Sequence, residues 1–171
     1  MNFKKRIVFI AMAITIISLF IGCGYNKEQF NSNKVYNDNS EISSEYDTFG
    51  LGESNETIES GRYKGKLILS GSATIWTYES SSDIDLKVPY SLSVNRGKAK
   101  IVLISPDNTV VDLIESTDKS AVEGATSITI PIKKGNNRIK VVGYKKADID
   151  IELHIKEGTF SKISFKDIQT D

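Results

Sequence analysis

The chain has 171 residues, enough for one domain of ordinary size plus flanking segments. Its 22 Lys and Arg balance 22 Asp and Glu, which argues against a nucleic-acid partner held by phosphate neutralisation. One cysteine excludes an internal disulfide and a thiolate metal cluster, and one histidine leaves few routes to a catalytic triad or a His-rich metal site.

The neutral total hides three unlike segments. Residues 1–23 carry Lys4, Lys5 and Arg6 and no acid; residues 24–60 carry eight acids against Lys27 and Lys34; residues 61–171 carry 17 bases against 14 acids. Behind the basic start runs an apolar stretch from Ile7 to Ile21, broken only by Thr15 and Ser18. Basic then apolar is the pattern of a secretory signal. The stretch is about 15 residues, short of the roughly 20 that span a bilayer as a helix.

The apolar stretch ends on the chain's sole cysteine. Leu19-Phe20-Ile21-Gly22-Cys23 resembles the lipobox of bacterial lipoproteins, with Gly22 in the small position before the modified cysteine and Gly24 after it. The resemblance implies a diacylglyceryl group in thioether linkage on Cys23, cleavage between Gly22 and Cys23, and residence on the extracytoplasmic face of the cell membrane. Residues 1–22 would then be the signal peptide. Two acyl chains hold a protein stably where one holds it marginally.

Residues 24–60 are rich in Asn, Ser and Glu, with isolated apolar residues and no sustained period. With Cys23 they are expected to form a disordered acidic tether of 23–60, since such a segment cannot offset its own ordering entropy. A flexible coil of that length spans roughly 30–37 Å root-mean-square.

Residues 61–171 carry the strand patterns. Lys64–Tyr78 supplies one long or two short strands, bent near Gly71. Leu86, Val88, Tyr90, Leu92 and Val94 alternate with polar residues and Pro89. Asn95-Arg96-Gly97-Lys98 is expected to turn the chain into a strand over 99–105, and Pro106-Asp107-Asn108 to turn it again into 109–115. Ile128, Ile130 and Ile132 alternate. Lys133–Asn137 has the length of a hairpin connection, from which 138–144 would pair back. After Lys145-Lys146-Ala147, the residues Ile149, Ile151, Leu153 and Ile155 alternate with charged ones. Phe160–Ile168 is a last strand. Eight or nine short strands with frequent turn signals imply an all-β fold, a single antiparallel jelly-roll-like sandwich. The order of strands and turns over roughly 86–155, with Gly97, Pro106-Asp107 and Gly135, resembles bacterial pre-peptidase C-terminal domains and carbohydrate-binding modules. That resemblance implies a jelly roll that binds.

Chemistry-bearing groups are sparse. His154 sits on a polar strand face without a partner motif. Asp83 with Asp85, or Asp148 with Asp150, has the oxygen chemistry of a hard-cation site, but alternating acids on an exposed face give the same pattern, and no metal or other cofactor is expected. Trp76 and Tyr78 share one strand face and are either a sugar-stacking platform or core. Lys133, Lys134, Lys145 and Lys146 are expected to cluster at one hairpin, where they would meet anionic wall polymer or lipid. The sequence thus points to a lipid-anchored, non-catalytic module for carbohydrate, wall polymer or protein. The alternative is an accessory subunit of a membrane-attached complex; a secreted hydrolase is the remotest reading.

Overall fold

A computed structural model describes residues 32–118 and 126–164. Two short helices come first, α1 (Ser32–Asn37) and α2 (Asn39–Ser43). Asp38 caps α2, its carboxylate accepting from the Ser40 amide at 3.0 Å, which satisfies a donor that the helix itself leaves unpaired. Seven strands follow: β1 (Thr48–Glu59), β2 (Arg62–Ser80), β3 (Ile84–Ile104), β4 (Val110–Thr117), β5 (Thr126–Ile132), β6 (Gly135–His154) and β7 (Thr159–Phe160). The fold is all-β, as the alternation predicts, and every pairing is antiparallel.

Three long strands, β2, β6 and β3, lie side by side at the centre. β1 and β7 pair successive stretches of β2, while β5 and β4 pair successive stretches of β3. Alternation puts Tyr63, Leu67 and Leu69 of β2 on one face with Leu92 and Val94 of β3 and Ile149, Ile151 and Leu153 of β6, all buried. Beyond the middle of these strands, Ile75, Trp76, Ile101, Leu103, Ile139 and Val141 join the same core. Both halves of each strand therefore face one another, and the single sheet folds over itself as a sandwich.

The fold line is a row of irregularities across the sheet. On β2 the register shifts between Leu69 and Gly71, where three β6 residues, Tyr144, Lys145 and Lys146, stand opposite Ser70 alone. On β3 it shifts on both sides of Arg96. Gly71 (φ 89°), Gly97 (φ 81°), Lys145 (φ 53°) and Lys146 (φ 56°) all take the left-handed conformation. Extra residues on one strand bend it and raise its twist. The Lys146 amide donates to Ser70 Oγ at 2.7 Å, so the displaced backbone is not left unpaired.

Three expectations are corrected here. Asn95–Lys98 and Lys145–Ala147 do not end strands: they are bulges that β3 and β6 run through, because pairing resumes on both sides. Two expected pairs of strands thereby merge and β1 is added, giving seven strands instead of eight or nine. Lys133–Asn137 is no hairpin either. β5 pairs with β3, Ile132 opposite Ile84, whereas β6 starts between β2 and β3, with Asn137 opposite Tyr78 and Arg138 opposite Ile104. Buried Asn137 knits the crossing, donating to the carbonyls of Lys133 (2.6 Å) and Gly135 (2.8 Å) and accepting from the Lys133 amide (3.1 Å). Of the strand expected over Phe160–Ile168, Phe160 is the only residue in a strand, β7, among the described residues, and 165–168 lie outside them.

The largest correction concerns the tether. From Ser32 onward the chain is folded, and β1 runs along β2 from Thr48 to Glu59. Glu56, its one buried residue, accepts from Tyr63 Oη at 2.6 Å and from the Ile163 amide at 3.0 Å, and Ser54 Oγ also donates to it. Backbone pairing, this carboxylate and the partly buried Phe49 and Leu51 hold β1, whose remaining residues up to Glu59 are exposed apart from Thr48 and Glu56, so no apolar period runs along it. The compact unit spans Asn31–Asp171, and the sandwich boundary expected at residue 61 moves toward the N-terminus.

Candidate functional site

The outer face of the sheet carries two chemically distinct surfaces. On the half formed by the later part of β3 and the earlier part of β6, Lys98, Lys100, Val102 and Ile104 alternate outward beside Arg138, Lys140, Val142 and Tyr144. The strap of α1, α2 and residues 44–47 covers this half, Tyr36 and Ile42 packing on Val102, Ile104 and Val142. Cations among these aliphatic residues meet the strap's polar groups. Lys140, fully buried, lies 3.1 Å from Asp47 Oδ1 and donates to Ser44 O at 2.8 Å. Burial holds its ammonium below the usual lysine value, and Asp47 offsets part of that shift. Arg138 donates to the carbonyls of Ser43 (2.8 Å) and Ser44 (3.0 Å), accepting groups that the end of α2 leaves unpaired. Lys100 pairs with Asp112 at 3.0 Å. Tyr36 donates to Glu115 at 2.7 Å, and burial followed by this carboxylate pushes its phenol well above the ordinary value. Ser72 Oγ, beneath the strap, is the one buried side-chain polar atom without a partner among the described residues.

Beside the strap, at the fold line, lies a basic corner. Lys98 Nζ sits 4.1 Å from the centroid of the Tyr36 ring and 5.0 Å from that of Tyr144, and Lys145 Nζ lies 5.1 Å from the Tyr144 ring. Tyr36 and Tyr144 meet edge to face at 5.6 Å. Arg96, Lys145 and Lys146 are exposed and Lys98 is half-buried.

On the other half of the outer face, charges cancel across strands. Arg62 and Lys64 lie 3.5 Å from Glu152, and Lys66 lies 3.3 Å from Asp150. Asp148 accepts from Asn95 at 3.5 Å. An open polar groove beside the β1 bulge is lined by Glu53, Asn55, Lys66, Asn95 and Asp148. His154 lines another open groove with Asp85, Lys87 and Glu157. Among the described residues, no three His, Cys, Asp or Glu are placed to hold a metal ion.

Several expected site residues are redistributed. Trp76 is buried in the core, its indole N–H donating to Glu157 O at 2.9 Å, and Tyr78 packs partly buried against it at 5.7 Å. An extra residue near Ile75 turns both rings inward, so they offer no stacking platform. The four lysines also separate. Lys133 and Lys134 stand at the start of β6, where Asp83 accepts from the Lys134 amide (2.8 Å) and pairs with Lys133 Nζ (3.0 Å). Lys145 and Lys146 stand at the fold line, about ten strand residues away, roughly 30 Å along the strand. Gly22, Cys23 and the signal segment lie outside the described residues. No described helix is long and apolar enough to cross a membrane.

Sequence reasoning missed Lys98, Lys100, Arg138 and Lys140. A signal was available for Lys100 and Lys140, each of which stands between two apolar residues, Ala99 and Ile101 or Ile139 and Val141. A protein-family comparison finds no family model that matches this chain, and a comparison with curated proteins finds no match.

Proposed function

We propose that this chain is a lipid-anchored extracytoplasmic protein whose β-sandwich is a non-catalytic binding or interaction module. The observation that carries the reading is the placement of its sole cysteine, Cys23, at the end of the apolar run and directly after Gly22. The fold supports it in one respect. α1 begins at Ser32, nine residues after Cys23, so a chain of at most about 30 Å would join the anchor to that helix. The module would work close to the membrane.

The binding reading is favoured over an obligate subunit because Tyr46 and Ile58 are the only large hydrophobic side chains classed as exposed among the described residues. It is favoured over hydrolysis because Asp148 and Asp150 are already engaged, by Asn95 and Lys66, on an open face, where no second carboxyl is set apart in an enclosed site to act as an acid. With Trp76 in the core, wall polymer or protein fits better than stacked carbohydrate.

Cys23→Ser should leave the precursor uncleaved and unlabelled by radioactive fatty acid. Equal labelling of both forms would overturn the anchor. The partner is sought by pull-down from detergent-solubilised membranes, and turnover of chromogenic glycosides that vanishes in Asp148→Ala would overturn the non-catalytic reading.

A further inference from the structure

We propose that the basic corner at the fold line is a docking surface for the anionic phospholipid headgroups of the membrane that holds the anchor. The orientation deepens the anchored reading and rests on it for its biological setting. Two features place the corner toward the membrane. The first is where the chain enters the fold. Tyr36 lies one helical turn after Ser32 and packs against Tyr144 and Lys98, so the segment arriving from Cys23 reaches the sandwich beside Lys98 and Lys145. With eight residues between Cys23 and Ser32, this end cannot stand far from the lipid surface.

The second feature is how the corner is built. Lys145 and Lys146 are consecutive left-handed residues, at 53° and 56°, where glycine or asparagine fits with less strain. They keep long cationic side chains on a bend that needs only the backbone. Arg96 and Lys98 stand beside them across the strand pair, and half-buried Tyr144, an amphipathic ring of the kind that settles at headgroup level, lies among them. Among the described residues the acids near the corner include Asp148, opposite Arg96 and bonded to Asn95; Asp118, whose amide donates to Gly97 O; Glu115, which accepts from Tyr36; and Asp112, which pairs with Lys100. Glu115 and Asp112 are engaged by Tyr36 and Lys100, and among the described residues the cations Arg96, Lys98, Lys145 and Lys146 outnumber the acids Asp148 and Asp118 beside them. Each juxtamembrane cation strengthens attachment to an anionic surface by about fivefold.

The test uses the compact unit from Asn31 to Asp171, which carries both apolar clusters and the strap and lacks Cys23. Its co-sedimentation is measured with vesicles of phosphatidylglycerol and phosphatidylcholine in equal parts, and with phosphatidylcholine alone. Binding is expected only to the anionic vesicles and should weaken as salt is raised. Arg96→Gln with Lys145→Asn and Lys146→Asn should lower it by about 100-fold, at about fivefold per cation. Asparagine tolerates the left-handed backbone, so the bend survives. Lys133→Asn with Lys134→Asn, at the far end of the strand, should leave binding unchanged. Equal binding to neutral vesicles, a triple variant that binds as the wild type does, or an equal loss in the Lys133/Lys134 variant overturns the proposal. So does competition by soluble polyglycerol phosphate as effective as that by the vesicles, which would assign the corner to wall polymer. Fatty-acid labelling of the full chain reports the anchor separately. A labelled chain whose unit ignores anionic vesicles refutes the corner alone, and an unlabelled chain whose unit binds them refutes the anchor alone.

Discussion

Lys140 and Asp47 show how a few polar groups secure the strap. Removing Asp47 leaves a fully buried ammonium with only the Ser44 carbonyl. Breaking such pairs costs about 3–5 kcal/mol, and the 29% exposure of Asp47 puts this one at the low end. Asp47→Ala should therefore lower unfolding stability in urea by about 3 kcal/mol, whereas Lys140→Met, which replaces a charge by an apolar chain of similar length, should cost less than about 1 kcal/mol or stabilise. A larger loss in Lys140→Met than in Asp47→Ala would contradict this account. The tyrosines govern the alkaline limit. Burial first and then the carboxylates of Glu115 and Glu56 raise the phenols of Tyr36 and Tyr63 above their ordinary value of 10.0. A raised folded-state value gives stability that is fully present below pH 10 and lost as pH rises above it. Each tyrosine then forfeits about 1.4 kcal/mol per pH unit. The lowered value of Lys140 acts oppositely, adding stability as pH rises toward 10.5, but one lysine does not outweigh two phenols. Tyr63→Phe should flatten the loss of melting temperature above pH 10, measured by circular dichroism.

Strands behave here as long ribbons that bend without breaking. Alternation located nearly every buried stretch of β2, β3 and β6, because one face of each is apolar and period two survives in the sequence. It misplaced their ends, because a bulge and a turn use the same residues. Asn95-Arg96-Gly97 and Lys145-Lys146 have turn chemistry, and only the pairing beyond them shows that the strand goes on. β1 was illegible for a different reason: beyond Phe49 and Leu51, which pack on the core, it is held by backbone bonds to β2 and by Glu56, neither of which leaves a hydrophobic signature. The basic corner was half legible. Lys145 and Lys146 stood out as a pair, but their separation from Lys133 and Lys134 depends on β6 being one strand. The bend also makes a sharp demand on Gly143, where a Cβ would lie 2.4 Å from Leu69 O. Gly143→Ala should force the centre of β2 and β6 apart and cost at least about 3 kcal/mol, read as a drop in the urea midpoint. A change within about 0.5 kcal/mol would show that the bend is looser than described.

Because β2, β3 and β6 each serve both halves, the sandwich should melt as one unit. The unit from Asn31 to Asp171 is expected to show a single cooperative transition with coincident midpoints by circular dichroism and by Trp76 fluorescence. A fragment starting at residue 61 lacks β1, Glu56 and the whole strap. It leaves Lys140 and the Val102–Ile104–Val142 face bare, and should be soluble only as a loosened or aggregating species. Native-like melting of that fragment would restore the boundary expected from composition.

The strap also sets how far the domain can travel. It clings to the sheet through side chains and two short helices, without a strand pairing, and it precedes β1 in the chain. If Cys23 carries the proposed anchor, tension would act on Ser32 first and lift residues 32–47 before reaching any ladder of backbone bonds. Those sixteen residues add roughly 50 Å of contour to a leash of about 30 Å. A pull of that kind would extend the chain by about that length while every strand stayed paired.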